Sequence, residues 1–144
     1  MRRPFALLPR LLLPALVLGA SLPAYCVIQP ELMAKFIKVI ASNSGSSGKV
    51  DIKDADLAKA LGGMEVAVDK SAKVAYATTE AEVKALAASG KLVICNRLAL
   101  LPEGGSIAIV EEEGKPAIYL HTGHIQQSGA KVSASILKIG RQNL

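Results

Sequence analysis

Apolar residues recur at helical spacing between Pro30 and Ala41, where Leu32, Met33, Phe36, Ile37 and Ile40 share one face and Lys35 and Lys38 fall off it. Pro30 suits a first helical turn and Glu31 complements the helix dipole there. The pattern stops in the polar run Ser42 to Gly48. Alternation then predicts a strand over Lys49–Lys53. Asp54 is placed to cap a short helix over Ala55–Leu61, which Gly62 and Gly63 close. Met64–Val68 and Lys73–Ala77 read as further strands. Thr79 with Glu82 three residues later forms a capping box that opens the alanine-rich helix Glu80–Ser89, and Gly90 ends it. Lys91–Cys95 is apolar without alternation, the pattern of a strand buried on both faces.

The last third changes style. Ser106–Val110 and Pro116–Leu120 predict an antiparallel pair around the acidic turn Glu111 to Lys115, and Pro116 is tolerable at a strand's first residue. A helical turn over His124–Ser128 ends at Gly129. A final helix over Val132–Arg141 places Val132, Ile136 and Ile139 at helical spacing. Strands alternating with helices imply parallel βαβ units. The expected fold is therefore a single small α/β domain, with a mixed sheet, a parallel βαβ core, a C-terminal antiparallel hairpin and helices on both faces.

The 144 residues suit one domain, but the first stretch reads as something else. Arg2, Arg3 and Arg10 precede the apolar run Leu11–Leu22, and Ala20 and Ala24 are small residues near its end. That is the grammar of a secretory signal peptide over residues 1–24, leaving 25–144 as the folded domain. The run is too short and too interrupted by proline to span a membrane well. Tyr25 stands where a lipoprotein signal wants a small residue before Cys26. The reading predicts export to the periplasm.

The leader also accounts for much of the basic balance. The chain carries a net +5; without the leader's three arginines, 14 basic residues face 12 acidic ones, leaving +2. The remaining lysines are scattered, tryptophan is absent and aromatics are few. Stacking platforms for single strands need aromatics, and groove binding needs clustered basic side chains. No nucleic-acid partner is expected.

Candidate chemistry is sparse. His121 and His124 could share a metal if their turn folds together, but a metal site wants three or four ligands and no neighbouring residue completes this one. Neither a metal nor a cofactor is expected. Asn96 and Arg97 follow a strand, where α/β folds place ligands, and a guanidinium fork suits a carboxylate or phosphate. Gly104 and Gly105 precede a strand rather than a helix, so a turn with positive φ fits them better than a phosphate cradle. Glu111, Glu112 and Glu113 read as a solvated turn. Cys95 is read as a core thiol; a Cys–His nucleophile with His121 or His124 lacks an identifiable orienting partner. In an oxidising compartment a Cys26–Cys95 disulfide is the alternative state of that thiol.

The glycine pair and strand Gly104 to Val110, the acidic Gly turn, and the ending Ser128-Gly129-Ala130-Lys131-Val132-Ser133-Ala134-Ser135-Ile136-Leu137 resemble the YfiR-like family, and Pro30 to Phe36 is similar to that family's first mature helix. The resemblance implies export, an α/β fold and a regulatory role without catalysis. The partner it implies is the periplasmic domain of an inner-membrane signalling protein such as a diguanylate cyclase; a homodimer is a further association left open. The chain departs from the family between the first helix and Lys91, where it is short, and at Ser42 to Gly48, which replace an aromatic-proline ending. Contact with a partner or ligand is expected at Asn96, Arg97, Gly104, Gly105, His121 and His124. Two other readings stand beside this one. The first is a periplasmic small-ligand binding module without a protein partner. The second is a small thiol hydrolase using Cys95.

Overall fold

The computed structural model describes residues 28–142. The leader over 1–24 and Cys26, with its proposed disulfide, lie outside the described residues. The elements run α1 Pro30–Asn43, β1 Lys49–Val50, α2 Ala55–Gly62, β2 Ala67–Val68, β3 Val74–Ala77, α3 Glu80–Ala88, β4 Leu92–Cys95, a 3₁₀ turn Leu98–Leu100, β5 Ile107–Glu112, β6 Lys115–Leu120, α4 Thr122–Ser128, α5 Ala134–Ile139 and β7 Arg141–Gln142. Among the described residues no helix is long and apolar enough to cross a membrane.

The sheet is mixed, as expected. β3, β4 and β5 are parallel neighbours, β6 runs antiparallel to β5, and β7 lies parallel to β6. β1 and β2 form a parallel pair, and a parallel bridge from Asp51 to Ala75 attaches β1 to β3. The spatial order is thus β2-β1-β3-β4-β5-β6-β7. The β5–β6 hairpin closes through Glu113 and Gly114, both at positive φ (51° and 75°), the two-residue turn whose twist matches paired strands.

Side-chain alternation divides the core in two. Val74, Tyr76, Leu92, Ile94, Ile107, Ile109, Ile118 and Leu120 face one side, under α1, α2, Ile125 of α4 and Ile136 of α5. Ala77, Val93, Cys95 and Ala108 face the other, under Val83 of α3 and the 3₁₀ turn's Leu100. Small residues line the second face because α3 lies close upon it: a Cβ on Gly104 would stand 2.8 Å from that of Ala87.

Several element boundaries differ from the sequence reading, among them the acidic turn, which narrows to Glu113 and Gly114 because Glu111 and Glu112 pair with Pro116 and Lys115. Lys49–Lys53 shortens to Lys49–Val50 with only the Asp51 bridge beyond it. Met64–Val68 shortens to Ala67–Val68 because Glu65 sits at φ 62° in a turn. The helical turn expected at His124 starts instead at Thr122, capped by His121. The last helix stops at Ile139, and Arg141–Gln142 becomes a strand that the pattern did not suggest. Gly140 makes that exit feasible, since a Cβ there would stand 2.5 Å from the Leu120 side chain.

Candidate functional site

The sheet order creates a crevice. From β1 the chain leaves through α2, which packs beneath the sheet beside α1; from β3 it leaves through α3, which packs on the opposite face. Adjacent parallel strands whose connections depart to opposite faces leave uncovered space at their carboxyl ends, the place where open α/β sheets take ligands. Both helices begin on that edge. The Asp54 carboxylate accepts the Leu57 N–H at 3.0 Å and the Thr79 hydroxyl accepts the Glu82 N–H at 3.3 Å. These caps fix where α2 and α3 start.

A cavity of about 260 Å³ lies there, lined by Asp51, Lys53, Tyr76, Ala81, Glu82, Ala85 and Leu86. Its origin is the period of the strand. Val50 and Ile52 point into the α1–α2 core, so Asp51 and Lys53 belong to the opposite face, which α3 covers only beyond β1. Ala81, Ala85 and Leu86 make an apolar wall; Lys53 and Glu82 bring one charge of each sign. Asp51 is held by Lys91 at 2.7 Å, with both side chains about 15% exposed (15% and 16%), and the same ammonium donates to the Lys70 carbonyl at 2.5 Å. The Tyr76 ring belongs to the α1–α2 core; burial first, and then the carboxylate of Asp54, push its phenol up to about 12, so it is a neutral hydroxyl at any physiological pH.

The residues singled out from sequence fall into two groups rather than one surface. Asn96 and Arg97 follow the carboxyl end of β4. Arg97 donates to the Thr78 carbonyl at 2.8 Å, on the same edge as the crevice. The Asn96 Oδ1 is buried without a hydrogen-bond partner among the described residues. Gly104, Gly105, His121 and His124 meet where β5 begins and β6 ends: the His124 Nδ1 lies 2.8 Å from the Gly105 carbonyl, and the His121 N–H donates to the Ser106 carbonyl at 2.9 Å. Antiparallel pairing of β6 on β5, with Ile107 opposite Leu120, brings the end of β6 to the start of β5 and so gathers this group, while the Arg97 guanidinium turns away from it to Thr78. Gly104 has φ +131°, as a turn glycine should; Gly105 is required by space, because a Cβ would meet the Leu100 carbonyl at 2.9 Å and the Cys95 Sγ at 3.0 Å.

The Cys95 Sγ is fully buried and directed at the carbonyls of Arg97 and Ile107, each 3.6 Å away. Burial pushes its thiol up to about 12, only partly opposed by the Arg97 amide and guanidinium. A thiol in that state is a core group and a poor nucleophile. Among the described residues no cluster of three or more His, Cys, Asp or Glu is placed to hold a metal ion. The sequence reading missed the cavity itself, except that Asp54 and Thr79 were placed as caps. The alternation of Lys49 to Lys53, carried on to the face of Asp51 and Lys53, was the signal that pointed to it.

No protein-family model matches the chain, and no curated protein sequence does. Solved structures do. A conserved domain protein from Vibrio cholerae O1 biovar El Tor aligns with a TM-score of 0.61 at 11% identity, over 78% of this chain and 59% of its own length. The ABC domain from Streptococcus pneumonia, solved in complex with L-Trp, aligns with a TM-score of 0.54 at 13% identity, over 80% of this chain and 60% of its own. The chain spans about three fifths of the length of each (59% and 60%). At these identities the likeness is one of fold: this chain is a small α/β domain of the architecture that both contain.

Proposed function

We propose that the protein is a binding module for a small amphipathic molecule, seated in the crevice between β1, β3 and α3. The observation that carries the reading is the cavity at the point where the crossovers from β1 and β3 part to opposite faces. Its apolar wall of Ala81, Ala85 and Leu86 offers burial, and Lys53 and Glu82 offer one charge of each sign at its rim. Its volume of about 260 Å³ lies just below the range of ordinary ligand pockets, which suits a metabolite of amino-acid size. The neighbour solved with L-Trp supports that choice of class. The module works by equilibrium binding, without a covalent step, and its occupancy biases whatever the protein touches.

A thermal-shift screen of L-tryptophan and other free amino acids tests this. A ligand at one hundred times its Kd stabilises the native state by about 2.7 kcal/mol, an easily read rise in Tm. The wild type is expected to respond to at least one of them, and Ala85→Trp, which fills the cavity from an exposed helical position, is expected not to. No response from the wild type, or an equal response from Ala85→Trp, would remove the cavity as the seat.

A second reading keeps the exported regulator that the sequence resemblance implies, acting on the periplasmic domain of a membrane signalling protein. One feature favours it. Along α1, Leu32 (36% exposed), the half-buried Phe36 and Val39 (45% exposed) follow one another at helical spacing on the flank of the face that carries the core residues Met33, Ile37 and Ile40. In-cell crosslinking from positions 35 and 38 tests it. Capture of a single membrane protein carrying periplasmic and cytoplasmic signalling domains supports it, and capture of only the protein itself counts against it.

A further inference from the structure

The charges that line the crevice are not equivalent. Asp51 is already balanced, because the Lys91 ammonium holds its carboxylate at 2.7 Å. Lys53 and Glu82 line the same cavity with opposite signs, yet among the described residues neither joins an ion pair, with the other or with any third group. Helix α3 does not use the Glu82 side chain either. A complete capping box would send it back to the Thr79 N–H. Only the other half of the box is made, the Thr79 hydroxyl accepting the Glu82 N–H at 3.3 Å, and the half-buried carboxylate is left to the cavity.

Both groups stand at the mouth. Lys53 comes immediately before Asp54, the cap of α2, and Glu82 lies in the first turn of α3; both helices begin on the carboxyl edge of the sheet. Ala85 and Leu86 follow Glu82 by three and four residues, so they share its side of the helix, one turn further from that edge. The crevice therefore offers an ammonium from the β1 side, a carboxylate from the α3 side and an apolar surface beyond them. A simple anion would gain from Lys53 and be repelled by Glu82, and a simple cation would meet the reverse. A small head that carries both signs satisfies both walls at once.

We propose, on the reading of the crevice as a small-molecule seat, that it selects free α-amino acids by their zwitterionic head: Lys53 takes the α-carboxylate, Glu82 takes the α-ammonium, and an apolar side chain lies along Ala85 and Leu86. The two contacts are charge-assisted hydrogen bonds, the stronger kind. A ligand that lacks the amine leaves the Glu82 carboxylate desolvated without a donor, and one that lacks the acid sets its positive charge beside Lys53. Specificity comes from these two rejections as much as from the fit of the side chain.

Calorimetric titration of the full chain at about pH 7 tests this with two sets of probes. One is L-phenylalanine with 3-phenylpropanoate, which lacks the amine, and phenethylamine, which lacks the acid; the other is L-tryptophan with indole-3-propionate and tryptamine. The amino acid is expected to bind at least about tenfold more tightly than either truncated form. Glu82→Gln is expected to erase the preference over the acid and keep the preference over the amine, and Lys53→Gln to do the reverse. Neither side chain makes a cap or an ion pair that the fold uses, so both variants are expected to fold. Truncated forms that bind the wild type as tightly as the amino acid, or preferences unchanged in both variants, would overturn the charge assignment and leave the crevice as a seat. No saturable binding of any of these compounds would overturn the assignment and the seat together.

Discussion

At Gly104 the backbone sits at φ +131°, and the space where a side chain would go is already occupied by Ala87 of α3. Gly104→Ala therefore combines strain with overpacking, and we expect it to lower stability by about 3 kcal/mol in urea denaturation. Gly114, at φ +75° in an open turn with no neighbour within 4 Å, separates the two effects: Gly114→Ala carries the strain alone and is expected to cost about half as much. Cys95 gives a second test at this scale. Its buried thiol is expected to resist alkylation at neutral pH until the protein unfolds, and the labelled peptide identified by mass spectrometry checks this. Rapid labelling in the native state would restore the thiol-enzyme reading. The glycine pair and the buried cysteine were legible from their neighbours in sequence: a turn before an apolar strand, and a thiol at the end of one. The stacking of the His121 and His124 rings, with centroids 3.6 Å apart, was not, because it depends on the Gly105 carbonyl that the sheet brings within 2.8 Å of the His124 Nδ1.

Among the elements, α3 is the one on which the crevice depends, and its start is set by a single side chain. Thr79→Ala is expected to cost about 1 kcal/mol and to raise amide exchange in the first turn, Glu80 to Val83. β7 is held by the side chains around it more than by its own two residues. Arg141 donates to Glu112 at 2.8 Å and to the Tyr119 hydroxyl at 3.0 Å, its guanidinium lies 5.5 Å from the Tyr119 ring centroid, and the Tyr119 hydroxyl also donates to Glu112. The Tyr119 hydrogen bond first, and then the Arg141 charge, hold the Glu112 carboxyl below the usual carboxylate range. A carboxylate with a lowered folded pKa contributes stability that is present above its unfolded value, roughly 4.3, and is lost as pH falls through the folded one. Exchange of the Arg141 and Gln142 amides is therefore expected to rise as pH falls through the lowered range of the Glu112 carboxyl, and Arg141→Gln is expected to raise it at every pH. Helices with caps and glycine stops, the buried strand β4 and the hairpin were all readable, because propensity and pattern agree there. β7 was not, because a two-residue strand has no periodicity and exists through Gly140, Leu120 and the Glu112–Tyr119–Arg141 cluster.

Across the whole molecule, the parallel part of the sheet is tied together beside the crevice by the Asp51–Lys91 pair, which joins the end of β1 to the start of β4 over forty residues of chain. Both groups are largely buried, so removing one partner leaves the other charge poorly solvated. Lys91→Met is expected to destabilise by roughly 2 kcal/mol and to weaken binding in the cavity that Asp51 lines. The general architecture, a parallel core with an antiparallel hairpin and helices on both faces, could be read from the order of elements. The order β2-β1-β3 could not, and with it the place of the crevice, since which neighbour a strand chooses is settled by packing over the whole sheet. That order makes a binding site out of residues that carry no motif.

The most direct test of the account is to map where a small molecule binds, by following backbone amide resonances during titration with L-tryptophan and the other amino acids of the screen. The account predicts that a binding member shifts Lys53, Tyr76 and the α3 residues Ala81 to Leu86 in a saturable way, leaving the His121–His124 corner unmoved. Saturable shifts confined to that corner or to α1, or the absence of saturable shifts with every member, would contradict it.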